Sequence, residues 1–199
     1  GTELGMTYDP MVLAFTVVVT DLGNGELSAV LAEQPADTVF NNKYEADGEF
    51  DVDLTLNPTK VLAGRLLKDQ EFEFELTQVG PDEVFVQTIK NSLNGNIPFS
   101  KLSYTEADIG KSYDYTIHEV VPGVPETGMT YDPMVLEFTV TVADLGNGEL
   151  EATAPTPVDT EFNNSYEADG EYAVGLTLNP TKELTRRVLT DGAFTFELK

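Results

Sequence analysis

The sequence predicts an all-β fold, an Ig-like antiparallel β-sandwich repeated in tandem, and three observations carry that expectation. Apolar and polar residues alternate over short runs, the period of a strand with one buried face. Asn-Gly pairs interrupt those runs, where tight hairpins need residues that tolerate positive φ. The chain also repeats itself: GMTYDPMVLAFTVVVTDLGNGEL from Gly5 returns as GMTYDPMVLEFTVTVADLGNGEL from Gly128, and FNNKYEADGE from Phe40 returns as FNNSYEADGE from Phe162.

Each element follows from the same test. Leu13, Phe15, Val17 and Val19 share one face of a strand that runs into DLGNGEL, with Asn24-Gly25 as its hairpin turn. Val52, Leu54 and Leu56 alternate with acids and read as a strand, and Phe72, Phe74 and Leu76 alternate with Glu71, Glu73 and Glu75. Thr105 followed by Glu106 and Asp108 looks like the start of a short helical turn. Tyr113, Tyr115 and Ile117 form another strand face, and Leu136, Phe138, Val140 and Val142 another, which ends at the Asn147-Gly148 turn. No segment sustains a period of 3.6, and several short strands with turns between them argue for a sandwich.

The match between copies continues from LNPTKVLAGRLLKDQEFEFEL at Leu56 to LNPTKELTRRVLTDGAFTFEL at Leu178, so one unit is about 122 residues, the size of a whole domain. The stretch from Thr77 to Thr127 occurs once. Residues 1–45 therefore read as the back part of a preceding repeat, 46–168 as a complete sandwich, and 169–199 as the front part of a following one. The expectation is a piece of a longer array.

With 35 acidic and 11 basic residues the net charge is -24, which repels phosphate backbones and anionic lipid. Nucleic acid and membrane surfaces are thus poor partners, and a soluble extracellular protein fits better. At 41% apolar residues, a unit of this size can bury a core. There are no cysteines, so no disulfide or thiolate metal site contributes stability.

The alternation also places polar groups inside. Pro58, Lys60 and Leu62 share parity, as do Phe162, Asn164 and Tyr166, and as do Tyr115, Ile117 and Glu119. Lys60, Glu119 and Asn164 then point inward from three strands, while His118, Asn163 and Ser165 point outward. Burying a lone ammonium or carboxylate is costly unless it is paired or neutralised. A buried lysine can lose its proton and become a nucleophile, and a buried carboxyl can hold one and act as an acid. If the Asn164 amide lies beside them, Glu119 can bond to its carbonyl and move protons while the Lys60 amine attacks, expelling ammonia and leaving an amide cross-link. A plainer arrangement serves the same pattern: Lys60 snorkelling from a strand end, Asn164 capping a turn, Glu119 paired with a base.

Taken together and in order, several segments resemble a known family, the isopeptide-linkage domains of Gram-positive pilins and surface adhesins, a CnaB-like group of streptococcal pilin type. They are TKVLAGRLLKDQEFEFEL, the middle NSLNGNIPFSKLSYTEADIGKSYDYTIHEV, the TYD segment with its DLGNGEL hairpin, and the closing FNNSY. The resemblance implies a CnaB-like sandwich in which Lys60 and Asn164 are joined and Glu119 in YTIHEV is the proton shuttle. Two asparagines stand side by side in FNNSY, so Asn163 is the rival partner, and parity favours Asn164. The implied function is a structural stalk or fibre shaft on the cell surface or pilus, needing no cofactor, with single-turnover self-cross-linking as its only chemistry. A ligand-binding adhesin module is the alternative, for which the stretch from Gly80 to Tyr104 is the candidate loop.

Asn42 and Lys182 are the counterparts of Asn164 and Lys60 in the partial repeats, and as half-sites they would either pair between head-to-tail copies or stay unlinked. Three motifs read as decoys. VPETG from Val124 to Gly128 resembles a sorting signal but reads as a loop, since no apolar tail or basic end follows. His118 is the one histidine in the chain and has no obvious metal partners. Asp21, Glu26, Asp144 and Glu149 lack the ordered spacing of a calcium loop and read as hairpin flanks.

Overall fold

A computed structural model describes residues 3–80, 84–171 and 180–197. The chain divides into two units, Gly1–Tyr166 and Glu167–Lys199. In chain order the first holds β1 (Met6–Thr7), β2 (Val17–Asp21), β3 (Leu27–Leu31), β4 (Lys43–Tyr44), β5 (Asp47–Phe50), α1 (Val52–Leu56), β6 (Thr59–Ala63), β7 (Glu73–Val79) and β8 (Val84–Lys90). It continues with β9 (Leu102–Thr105), a 3-10 turn (Glu106–Asp108), β10 (Ser112–Glu119), β11 (Met129–Thr130), β12 (Val135–Asp144), β13 (Leu150–Thr153) and β14 (Glu161–Tyr166).

The fold is an all-β sandwich. One face is a five-stranded sheet in the order β13-β12-β10-β7-β8, and against it pack the three-stranded sheet β11-β14-β6 and the β5–β9 ladder. Rings bridge the layers: Phe74 lies 5.0 Å from Phe162, and Phe50 6.0 Å from Phe138. Phe50, Phe74 and Phe162 are fully buried, and each such side chain contributes about 1.5–3 kcal/mol by leaving water. Among the described residues every ladder is antiparallel except β6–β14, which is parallel and sets Lys60 opposite Phe162 and Asn164 opposite Leu62.

The expected strand faces hold for β7, β10 and β12, where Phe74, Leu76, Tyr115, Ile117, Leu136, Phe138, Val140 and Val142 are buried. The turn after Thr105 forms too, with the Asp108 carboxylate accepting the Thr105 backbone N–H at 2.9 Å.

Three local readings are corrected. The run Val52–Leu56 is a helical turn rather than a strand, because Asp51 caps it through the Leu54 N–H at 2.9 Å and Asn57 closes it in the left-handed region. Val52 and Leu56 face inward in either conformation, being four apart, and only Leu54, 82% exposed, tells the two periods apart. The hairpins are three-residue loops closed by Leu145 N–H to Glu149 O at 3.1 Å and Leu22 N–H to Glu26 O at 3.0 Å, and the positive φ falls on both glycines of Gly-Asn-Gly, not on the asparagine. Finally, Phe15, Val17 and Val19 are exposed although their counterparts in β12 are buried. The β2–β3 pair forms its own two-stranded sheet, whereas β12 lies inside a five-stranded one.

Candidate functional site

The site sits where β6, β10 and β14 meet. Pro58 follows the Asn57 cap and immediately precedes β6, whose Lys60 turns inward and gives its backbone N–H to Gly95 O at 2.7 Å. Glu119 closes β10 opposite Phe74, and Asn164 lies in β14 two residues beyond Phe162. All three side chains end up in the core, with Lys60 2%, Glu119 5% and Asn164 3% exposed.

Their polar atoms form a closed set. The Lys60 Nζ donates to Glu119 Oε2 at 2.7 Å, and Asn164 Nδ2 donates to Glu119 Oε1 at 2.7 Å. One carboxylate therefore bridges the amine and the carboxamide. The Lys60 Nζ also stands 4.8 Å from the centre of the Phe72 ring. Burial lowers the Lys60 pKa below the ordinary lysine value, and the hydrogen bond and charge of Glu119 oppose that shift only in part. An amine in this place is closer to its neutral, nucleophilic form than a surface lysine.

The carbonyl of Asn164 is held differently from expectation. Its Oδ1 accepts the backbone N–H of Asp132 at 2.8 Å, so Glu119 meets the nitrogen end of the amide and not the oxygen. A backbone N–H can only donate, which obliges the amide to present its oxygen to Asp132. Asp132 is itself pinned, its carboxylate accepting the Asn163 N–H at 2.6 Å and the Met134 N–H at 2.9 Å.

Sequence reasoning did not single out Asp132. The signal available was the verbatim recurrence of TYDP, and Asp9 repeats the arrangement: its N–H donates to Asn42 Oδ1 at 3.1 Å and its carboxylate accepts the Asn41 N–H at 2.7 Å. Asn163 faces out, and its Nδ2 donates to Glu161 O at 3.1 Å. Asn42 is exposed on the first unit; Lys182 is exposed on the second, 4.8 Å from the Phe194 ring, as Lys60 is from Phe72.

The other motifs take structural roles. Glu126 of VPETG lies in a loop and pairs with Arg65 at 2.9 Å. His118 is half-buried within β10. Asp21 and Asp144 each accept the N–H of the first turn glycine, and Glu26 and Glu149 accept the turn asparagine's amide. Of the stretch from Gly80 to Tyr104, residues 81–83 lie outside the described residues. Much of the remainder is built into the fold through β8, β9 and the buried Asn91, Ile97 and Phe99.

Fold and site together define a class: a β-sandwich whose core encloses a lysine and an asparagine, both hydrogen-bonded to one glutamate. A model of the FctA family, described as a Spy0128-like isopeptide containing domain, matches residues 2–45 and 56–167, and the chain belongs to that family. It is a Gram-positive pilin isopeptide domain, structural in role and associated with the cell surface or pilus. A search of curated proteins found no match. Among the described residues no helix is long and apolar enough to cross a membrane.

Proposed function

We propose that the protein is a fibre-shaft or stalk repeat of a pilus or cell-surface adhesin, whose complete unit, 46–168, locks itself with an isopeptide bond between Lys60 and Asn164. The observation that carries this reading is the bridging carboxylate, with Glu119 2.7 Å from both reacting nitrogens inside an apolar core.

The chemistry proceeds without a cofactor. Glu119 takes a proton from the Lys60 ammonium, and the neutral amine attacks Cγ of Asn164. The displaced electron pair moves onto Oδ1, where the Asp132 N–H stabilises the developing negative charge. Glu119 returns its proton to Nδ2, the C–N bond breaks, and ammonia leaves. Glu119 then takes the extra proton from the new amide nitrogen. One ammonium, one carboxylate and one carboxamide thus become one amide, one carboxylic acid and one ammonia. Each chain does this once and is not an enzyme in the turnover sense.

Asn42 and Lys182 are half-sites for head-to-tail neighbours in this reading. The mechanical benefit follows from topology. The bond joins parallel neighbours β6 and β14, so tension passes between them without shearing the sheets enclosed from 60 to 164. β5 and α1 precede Lys60 and remain outside the closed loop.

Intact mass tests the proposal. The chain should be lighter than its sequence by one ammonia, and Glu119→Ala should restore the full mass. A wild-type mass equal to the untouched sequence would remove the cross-link.

A further inference from the structure

The hairpin Asp144–Leu150 is not free at its tip. The Tyr44 hydroxyl, at the end of β4, donates to Asp144 Oδ1 at 2.7 Å and accepts the Gly148 N–H at 3.2 Å. The Asp47 N–H donates to Gly148 O at 3.3 Å, Asp47 bridges to Glu149, and the Glu45 N–H donates to Gly5 O at 2.8 Å. Backbones approach so closely that a Cβ on Gly5 would lie 2.7 Å from the Gly148 Cα, and a Cβ on Gly48 would lie 2.5 Å from Leu150 O. Only Glu45 and Ala46 separate β4 from β5, and Ala46 is 4% exposed. Two residues, one of them buried, cannot act as a loose linker.

Every residue of this contact occurs twice in the chain. Gly5 returns as Gly128 and Tyr44–Gly48 as Tyr166–Gly170, while Asp144–Leu150 is preceded by Asp21–Leu27. The segments DLGNGEL and YEADGE are identical in both copies, whereas the stretch from the hairpin to the shared FNN changes from SAVLAEQPADTV to EATAPTPVDTE. A unit that must dock a neighbour at each end needs both surfaces in every copy.

We propose that the Tyr44 contact is the joint between consecutive units: the tyrosine end of one unit, YEADGE with the glycine before MTYD, seats on the DLGNGEL hairpin of the next copy. Tyr166–Gly170 with Gly128 is then the seat for the hairpin of a following unit, and the hairpin Asp21–Leu27 receives the tyrosine of a preceding one. The joint holds successive units in one orientation, so an array behaves as a stiff rod. This inference rests on the division of the chain at residues 45 and 46 and is independent of the isopeptide bond.

Cleavage of the native 199-residue chain by a glutamate-specific endoprotease tests it, with fragments assigned by mass. Proteolysis tracks the open fraction of a joint, so the bond after Glu45 should be cut roughly tenfold or more slowly than the equivalent bond after Glu167, where Ala168 is exposed. Tyr44→Phe removes both hydroxyl bonds, and Gly148→Val places a side chain against Gly5. Both should raise cutting after Glu45 severalfold and leave cutting after Glu167 unchanged. Equal wild-type rates at the two bonds, or no response to Tyr44→Phe, would overturn the joint. The intact mass of each variant reports the cross-link separately, and repeating the digest on Lys60→Met, which cannot form the bond, should leave the protection in place.

Discussion

Replacing Asn164 with Ala is the sharpest test of what the cross-link contributes, because it removes the electrophile and leaves the Lys60–Glu119 pair intact. The proposed Lys60–Asn164 bond would close a loop of about 105 residues, for which the chain-entropy model of a covalent cross-link gives about 4.8 kcal/mol at room temperature. A sandwich of this size unfolds with an entropy of about 0.25 kcal/mol per kelvin, so the loss should lower Tm by roughly 15–20 °C. The assay is calorimetry paired with intact mass, which must show the ammonia deficit in the wild type and its absence in the variant. The substitution also removes two hydrogen bonds, worth about 1 kcal/mol each. A second route to the same loss controls for this: Lys60→Met with Glu119→Gln abolishes the nucleophile and leaves no lone buried charge. Both variants should fall by similar amounts. A drop under about 5 °C in both, with the deficit present in the wild type, would refute the entropic account, since such a drop equals only about 1 kcal/mol.

Other consequences can be measured independently. Under a pulling force the wild-type unit should release only the segment before Lys60, whereas Asn164→Ala should release roughly 350 Å more as the 105-residue loop extends. In freshly translated protein the ammonia should be lost faster as pH rises, levelling off below 10.5, the ordinary lysine value, because burial lowers the Lys60 pKa. Asp132→Ala frees the turn that holds the Asn164 carbonyl and should slow that loss on the order of tenfold without abolishing it, since the donor is a backbone group. The Asp108 carboxylate beside its hydroxyl pushes the Tyr113 phenol up to about 12. A raised folded pKa favours the neutral phenol in the native state, so its contribution is complete below the unfolded value of 10.0 and is lost as pH climbs through 12. Tyr113→Phe should flatten that alkaline decline in stability, followed by denaturant melts across the same pH range.

Much of the site was legible because strands obey a strict period of two. Lys60, Glu119 and Asn164 share parity with buried neighbours in β6, β10 and β14, and a charge on an apolar face is conspicuous in sequence. The same period misled at Val52–Leu56, where positions four apart satisfy a strand and a helix alike and the Asp51 cap decided between them. Asp132 escaped notice because it acts through its backbone N–H, which every residue but proline carries.

By itself, then, the sequence determined the all-β class and the inward identity of the three polar residues, which depend on local periodicity, and the repeat, which is read by comparing the chain with itself. Only the tertiary structure decided which of them touch, that β6 and β14 run parallel, and that the Asn164 amide turns its nitrogen to Glu119. It also decided that Tyr44 reaches a hairpin a hundred residues away. These are contacts between segments far apart in the chain, set by how the sheets pack, and no period within one strand encodes the distance between two.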